Sequence, residues 1–131
     1  VDALEAIFDR QLRLQKHSFG VDPTGLDDEQ LSEWVRWNVL ALEDELHEAL
    51  AEVRWKPWSI DSGFANRDAY VKELVDAVHF LVNLFLAAGA TPDEVLTRYL
   101  SKANVNSERQ AAGYTHDYMK GADGRALDEP E

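Results

Sequence analysis

Apolar residues recur along this chain at helical spacing in four stretches, and nowhere does a two-residue alternation last beyond a few positions. The pattern predicts a first helix over residues 2–17, with Leu4, Ile7, Phe8, Leu12 and Leu14 as its apolar set. Gly20 and the turn Pro23-Thr24-Gly25 end it. A second helix begins at Asp27 or Asp28, either of which can cap it, and runs to about Trp55, where Pro57 stops it. Its expected buried stripe is Leu42, Leu46, Ala49, Leu50 and Val53. Residues 59–66, with Asp61-Ser62-Gly63, read as a loop. The third helix runs from about Arg67 to Ala88, with Gly89 as the residue that ends it. Thr91-Pro92-Asp93-Glu94 then opens a fourth, with Thr91 as N-cap, Pro92 in the first turn and Glu94 closing a capping box. That helix lasts to about Ala112, and the absence of any strand pattern makes the class all-α.

The length of 131 residues suits one domain, expected over residues 1–120, with the glycine-containing stretch 121–131 as a flexible tail. A hydrophobic fraction of 45% is enough for a packed core. There is no cysteine, so disulfides, thiolate zinc sites and a cysteine nucleophile are excluded. The acidic start, Val1-Asp2-Ala3-Leu4-Glu5, shows no signal peptide. The longest apolar run, Leu74 to Ala88, is about 15 residues and contains Asp76, too short and too polar to span a bilayer. These features fit a reducing, cytoplasmic setting.

The net charge of −12 changes the picture most. Such a surface repels nucleic acid and anionic membranes, so neither is an expected partner. It would also repel a polyphosphate, so a nucleotide site here requires a bound cation and a local basic cluster. Both have candidates. Glu45 and Glu48 lie one helical turn apart on the second helix, and Glu73 and Asp76 repeat that spacing on the third. A single Glu-x-x-Glu is ordinarily a solvated helix face. Two matched pairs on neighbouring helices can face each other if the helices run antiparallel. Crowded carboxylates raise one another's pKa, and a divalent cation removes the conflict. An all-oxygen set without His or Cys suits Mg²⁺ or Mn²⁺. In the fourth helix Lys102, Asn106 and Arg109 share one face, followed by Gly113, Tyr114, Tyr118 and Lys120. They can hold phosphates, or they are an ordinary basic helix end.

Glu45-x-x-Glu48, 24 further residues, then Glu73-x-x-Asp76 resembles the metal motif of the all-α NTP pyrophosphohydrolases, which include MazG-like enzymes and the dimeric dUTPases. Trp55-Lys56-Pro57-Trp58, Asp76-Ala77-Val78-His79-Phe80 and Lys102-x-x-x-Asn106-x-x-Arg109-Gln110-x-x-Gly113-Tyr114 are similar to segments of the dimeric dUTPase branch, over about residues 8 to 120. The first helix departs from that branch with Gln11-Leu12-Arg13-Leu14-Gln15 and Phe19-Gly20, and only Gly89-Ala90 separates the third and fourth helices. The resemblance implies a four- to five-helix antiparallel bundle. It implies that Glu45, Glu48, Glu73 and Asp76 bind Mg²⁺ and that Lys102, Asn106, Arg109, Tyr114 and Lys120 contact phosphates. It also implies a homodimer, or a dimer of such dimers, and a minimal enzyme of bacterial or phage-infected cytoplasm.

The expected reaction is Mg²⁺-dependent hydrolysis of dUTP to dUMP and pyrophosphate, with Glu48 as general base. Gln11, Gln15, His79 and Asn83 are the polar candidates for the base pocket, with Phe80 or Trp58 able to stack. Trp34, Trp37 and Trp55 read as core or dimer interface, and His17, His47 and His116 as surface residues. Arg125 and the tail glycines would allow a lid. A broader MazG-like dNTP pyrophosphohydrolase and a non-enzymatic helical dimerisation module remain as alternatives.

Overall fold

The computed structural model describes residues 2–113, and its regular structure is almost entirely helical, as an all-α chain requires: α1 (Ala3–Arg13), α2 (Asp28–Ala51), α3 (Arg67–Ala87) and α4 (Pro92–Ala111). The chain divides into two units, residues 1–91 with α1 to α3 and residues 92–131 with α4. Tyr114, Tyr118, Lys120, His116 and the expected tail with Arg125 lie outside the described residues. No single helix among the described residues is long and apolar enough to cross a membrane.

The starts of α1, α2 and α3 are each set by a polar side chain that takes up an orphan backbone N–H. Asp2 caps α1 by accepting from the Glu5 amide (2.9 Å), and Asn66 caps α3 by accepting from Ala69 (3.0 Å). At α2 the cap is Asp27, with a full capping box. Gln30 N donates to Asp27 Oδ1 (2.8 Å) and Asp27 N donates to Gln30 Oε1 (3.0 Å).

Three features depart from the periodicity. The α-helical part of α1 ends at Arg13, and the chain widens into a π-helical turn over Leu14–Ser18. Apolar spacing cannot distinguish these, because both keep residues one turn apart on one face. Next, α2 stops at Ala51 rather than near Trp55. The chain enters a two-residue strand β1 (Val53–Arg54) paired antiparallel with β2 (Gly63–Phe64), where no strand was expected. So short a ladder carries no readable alternation. It is held by Arg54 Nη1 donating to Phe64 O (2.7 Å) and by Gly63, whose φ of 85° favours glycine. The third departure is the expected stripe of α2. Ala49 is buried and Leu42 and Val53 are half-buried, but Leu46 and Leu50 are 48% and 39% exposed.

Within the first unit α3 packs on both α2 and α1. The contacts run in opposite senses along the chain. Trp34 and Asn38 meet Asn83 while Glu45 meets Glu73, so α2 and α3 are antiparallel. Phe8 stacks on Phe85 with centroids 6.1 Å apart and Gln11 meets Asn83, so α1 and α3 are antiparallel too. The fully enclosed apolar side chains of this unit are few: Phe8, Pro23, Ala49, Ala77, Val82 and Leu86. Buried polar side chains, Gln11, Gln15, Asn38 and Asn83, stand among them. Trp37, Leu40, Val75 and Leu81 remain substantially exposed, and so does Trp55, while Trp34 is half-buried.

Candidate active site

Glu45 lies on the same face of α2 as Trp34, Asn38, Leu42 and Ala49, the face turned toward α3. Glu73 and Asp76, one turn apart on α3, meet it there. One carboxylate oxygen from each of Glu45, Glu73 and Asp76 falls within 4.8 Å of the others. Glu48, one turn further along α2, is exposed and outside that trio, yet it hydrogen-bonds with Glu73.

The electrostatics follow from the crowding. The Glu45 carboxyl is pushed up from its ordinary 4.5 to about 7. The foremost cause is its hydrogen bond to Glu73, followed by burial and then by the charges of Glu48, Glu73 and Asp76. Glu48 is also raised, first by its hydrogen bond with Glu73 and then by that group's charge. Glu73 moves down, because it accepts from both neighbours and Lys72 lies close by. Two ionised carboxylates cannot hydrogen-bond each other. With both ionised, Glu45 Oε2 is buried without a partner. A proton on Glu45 satisfies it, and so does a cation, which would also relieve Glu73 and Asp76 together. The donor set therefore fits a divalent metal: three oxygen ligands on rigid helix turns, one with an orphaned buried atom.

Further along the same seam is a different polar assembly. His79 Nδ1 and Gln11 Oε1 are 2.5 Å apart; Gln11 Nε2 donates to Asn83 Oδ1 (2.8 Å); Asn83 Nδ2 donates to Asn38 Oδ1 (2.9 Å). Asn38 Nδ2 then donates to the Trp34 carbonyl (2.9 Å), and the Trp34 indole N–H donates to the Asn83 carbonyl (3.0 Å). This chain ties α1, α2 and α3 together. Its outer end opens on a cleft of about 760 Å³ lined by Ile7, Arg10, Gln11, Leu14, Val75, Val78 and His79, among others. Asp76 and His79 are three residues apart on α3, about 4.5 Å along the axis. The acidic trio and the cleft thus adjoin the same turn of helix.

Of the four expected base-contacting residues, His79 lines the cleft and Gln11 forms part of its wall. Asn83 is buried behind Gln11, and Gln15 is buried on the π turn. Asn38 was not anticipated. Its signal was available: it is a polar residue at helical spacing between Trp34 and Leu42, on the stripe that faces α3. Trp58 is 76% exposed with Lys56 Nζ 5.8 Å from its ring centroid, and Phe80 is half-buried. In the second unit Lys102, Asn106 and Arg109 share one face of α4. Arg109 is buried, and Asn106 Oδ1 is buried without a hydrogen-bond partner.

The sequence pattern of the dUTPase family matches residues 3–92, which takes in all of α1 to α3 and stops where α4 begins. The dCTP pyrophosphatase of Enterobacteria phage T4 is 30% identical over 104 residues, 62% of this chain and 61% of the phage protein. The chain thus spans about three-fifths of that relative's length. No solved structure matches.

Proposed function

Since this chain belongs to the dUTPase family of all-α NTP pyrophosphohydrolases, we propose that it hydrolyses a deoxynucleoside triphosphate, dUTP foremost, to the monophosphate and pyrophosphate with Mg²⁺. The observation that carries this reading is the trio Glu45, Glu73 and Asp76, drawn within 4.8 Å with one buried oxygen unpartnered. An enzyme of net charge −12 that takes a polyanion needs a cation in that position.

Glu45, Glu73 and Asp76 would hold the metal, Mg²⁺ or Mn²⁺, which would supply Lewis acidity toward the triphosphate. Glu48 has a different part. It is exposed and lies outside the trio, and its hydrogen bond with Glu73 raises its pKa, which makes it a stronger base than an ordinary glutamate toward an attacking water. It reaches the trio through Glu73, so it can also join the metal set when substrate arrives. The cleft beside His79 receives the nucleobase, with Val75, Val78 and Ile7 excluding water and His79 contacting the base edge. Lys102, Asn106 and Arg109 supply the candidate phosphate contacts of α4, with Tyr114 and Lys120 after them in sequence.

The working form is a homodimer. Trp37, Leu40 and Leu81 leave apolar surface on α2 and α3 that a second copy can cover. Sedimentation equilibrium should return twice the chain mass, and a Trp37→Asp variant should return a smaller species; a monomeric wild type at micromolar concentration refutes the dimer.

A second reading, dCTP as the preferred substrate, is favoured by the dCTP pyrophosphatase relative. Pyrophosphate release from dUTP, dCTP, dTTP, dATP and dGTP, each with Mg²⁺ and with chelator, separates the readings. Preference for dUTP supports the first and preference for dCTP the second. Equal turnover of all five marks a broader MazG-like enzyme. No release from any refutes the activity.

A further inference from the structure

We infer that the Trp34 backbone carbonyl, acting through Asn38, Asn83 and Gln11, holds His79 in one tautomer, so that its Nε2 faces the cleft as a hydrogen-bond acceptor. A carbonyl oxygen can only accept. Asn38 must therefore turn its Nδ2 toward the Trp34 oxygen (2.9 Å), because the flipped amide would set oxygen against oxygen. That leaves Asn38 Oδ1 as the atom facing Asn83, so Asn83 must donate through Nδ2 (2.9 Å). Asn83 Oδ1 then accepts, and Gln11 must donate to it through Nε2 (2.8 Å). Gln11 Oε1 is what remains for His79. Since an amide oxygen cannot donate, the hydrogen between them belongs to His79 Nδ1.

Each amide has two orientations, but the chain has two only as a whole. The reversed one ends with a clash at Trp34. The ring nitrogen opposite Nδ1 is then unprotonated in the neutral imidazole, and His79 borders the cleft. The partner it takes is an N–H, such as a ring N–H of a nucleobase, and not a carbonyl. The base contact rests on the pyrophosphohydrolase reading above; the tautomer does not. Asn38 and Asn83 are positioning residues. They are buried, and Asn38 is absent from the cleft wall.

The tautomer can be read without substrate. Long-range ¹H–¹⁵N spectra of the uniformly labelled full chain, recorded at a pH where the ring is neutral, should show His79 protonated on Nδ1 and bare on Nε2. A ring protonated on Nε2 overturns the inference. Asn38→Ala, which frees the relay from Trp34, should show both tautomers and raise KM for dUTP about three- to tenfold with kcat little changed. An unchanged tautomer and KM in a folded Asn38→Ala protein overturn the positioning role. If Asn38→Ala does not fold, the wild-type spectrum decides alone. Binding of dUMP against its N3-methyl form tests the acceptor: the methylated base should bind at least about tenfold more weakly, and equal binding overturns it. A wild type with the expected tautomer but no turnover of any nucleotide would refute the enzyme reading and leave the relay standing.

Discussion

Two stretches of the α2–α3 seam, less than three helical turns apart, treat buried polarity in opposite ways. Around Asn38 and Asn83 every amide atom engaged in the relay has a complementary partner, ending on a backbone carbonyl. Around Glu45 and Glu73 the side chains are all acceptors once ionised, and Glu45 Oε2 has no partner. Both stretches stand on α2 and α3, the amides buried and the carboxylates half-buried, and the residues differ in chemistry. The amide stretch is finished by the protein itself. The carboxylate stretch is finished only by something positive, a proton or a metal ion. A closed hydrogen-bond network orients a group at its edge, whereas an unbalanced one stores a requirement for ligand.

The largest effect expected from breaking this contrast is catalytic. Glu48→Gln keeps the shape but removes the proton acceptor, and kcat should fall by about 10²–10⁴. Circular dichroism and melting temperature should remain near wild type. A variant with near-normal turnover would remove Glu48 from that role. Next comes the relay. Asn83→Leu should strand Gln11 Nε2 and Asn38 Oδ1 together, costing about 2–4 kcal/mol in urea unfolding. A cost below about 1 kcal/mol would mean the network is not buried as described. The acidic stretch should respond with the opposite sign: above pH 7, where Glu45 is ionised, Glu45→Gln should raise the melting temperature of metal-free protein by a few degrees while abolishing activity, since it removes a charge conflict. A fall in melting temperature would show that the carboxylates are not in conflict.

A smaller effect is the pH dependence. Glu45 is raised in the folded state from 4.5 to about 7 and Glu48 moves the same way. A carboxyl raised on folding favours the folded state below its unfolded pKa and loses that advantage as pH rises through the folded value. Glu73, shifted down, acts in the opposite sense, but its advantage is lost only as pH falls below about 4.5. Between 4.5 and about 7, metal-free protein should therefore become less stable with rising pH, and saturating Mg²⁺ should reverse the trend. Melting curves at half-unit pH intervals, with and without Mg²⁺, check it. A flat metal-free profile would contradict the coupling.

How much of this was legible beforehand also divides along the seam. Glu45, Glu48, Glu73 and Asp76 could be paired from spacing alone, because one turn of helix fixes which side chains stand together. That Glu48 is exposed while the other three converge depends on the rotation of α2 against α3, which spacing does not carry. The relay was only half visible. Gln11, His79 and Asn83 stood out as polar, but their order requires three helices in contact, and Asn38 lies outside the stripe that the spacing of α2 picks out. The hairpin of β1 and β2 and the π turn escaped because neither lasts long enough to impose a period. Leu46 and Leu50 follow the helical stripe faithfully and are exposed all the same. The stripe is wider than the surface that α3 covers within one chain.

Calorimetric titration of Mg²⁺ into metal-free protein at pH 6.5, in two buffers of different ionisation enthalpy, bears most directly on the acidic trio. Wild type should bind the ion with release of protons, seen as a buffer-dependent heat, and the Glu45→Gln and Asp76→Asn variants should each lose most of that binding. Absence of Mg²⁺ binding in wild type, or the same binding in both variants, would contradict a metal centre on the α2–α3 seam.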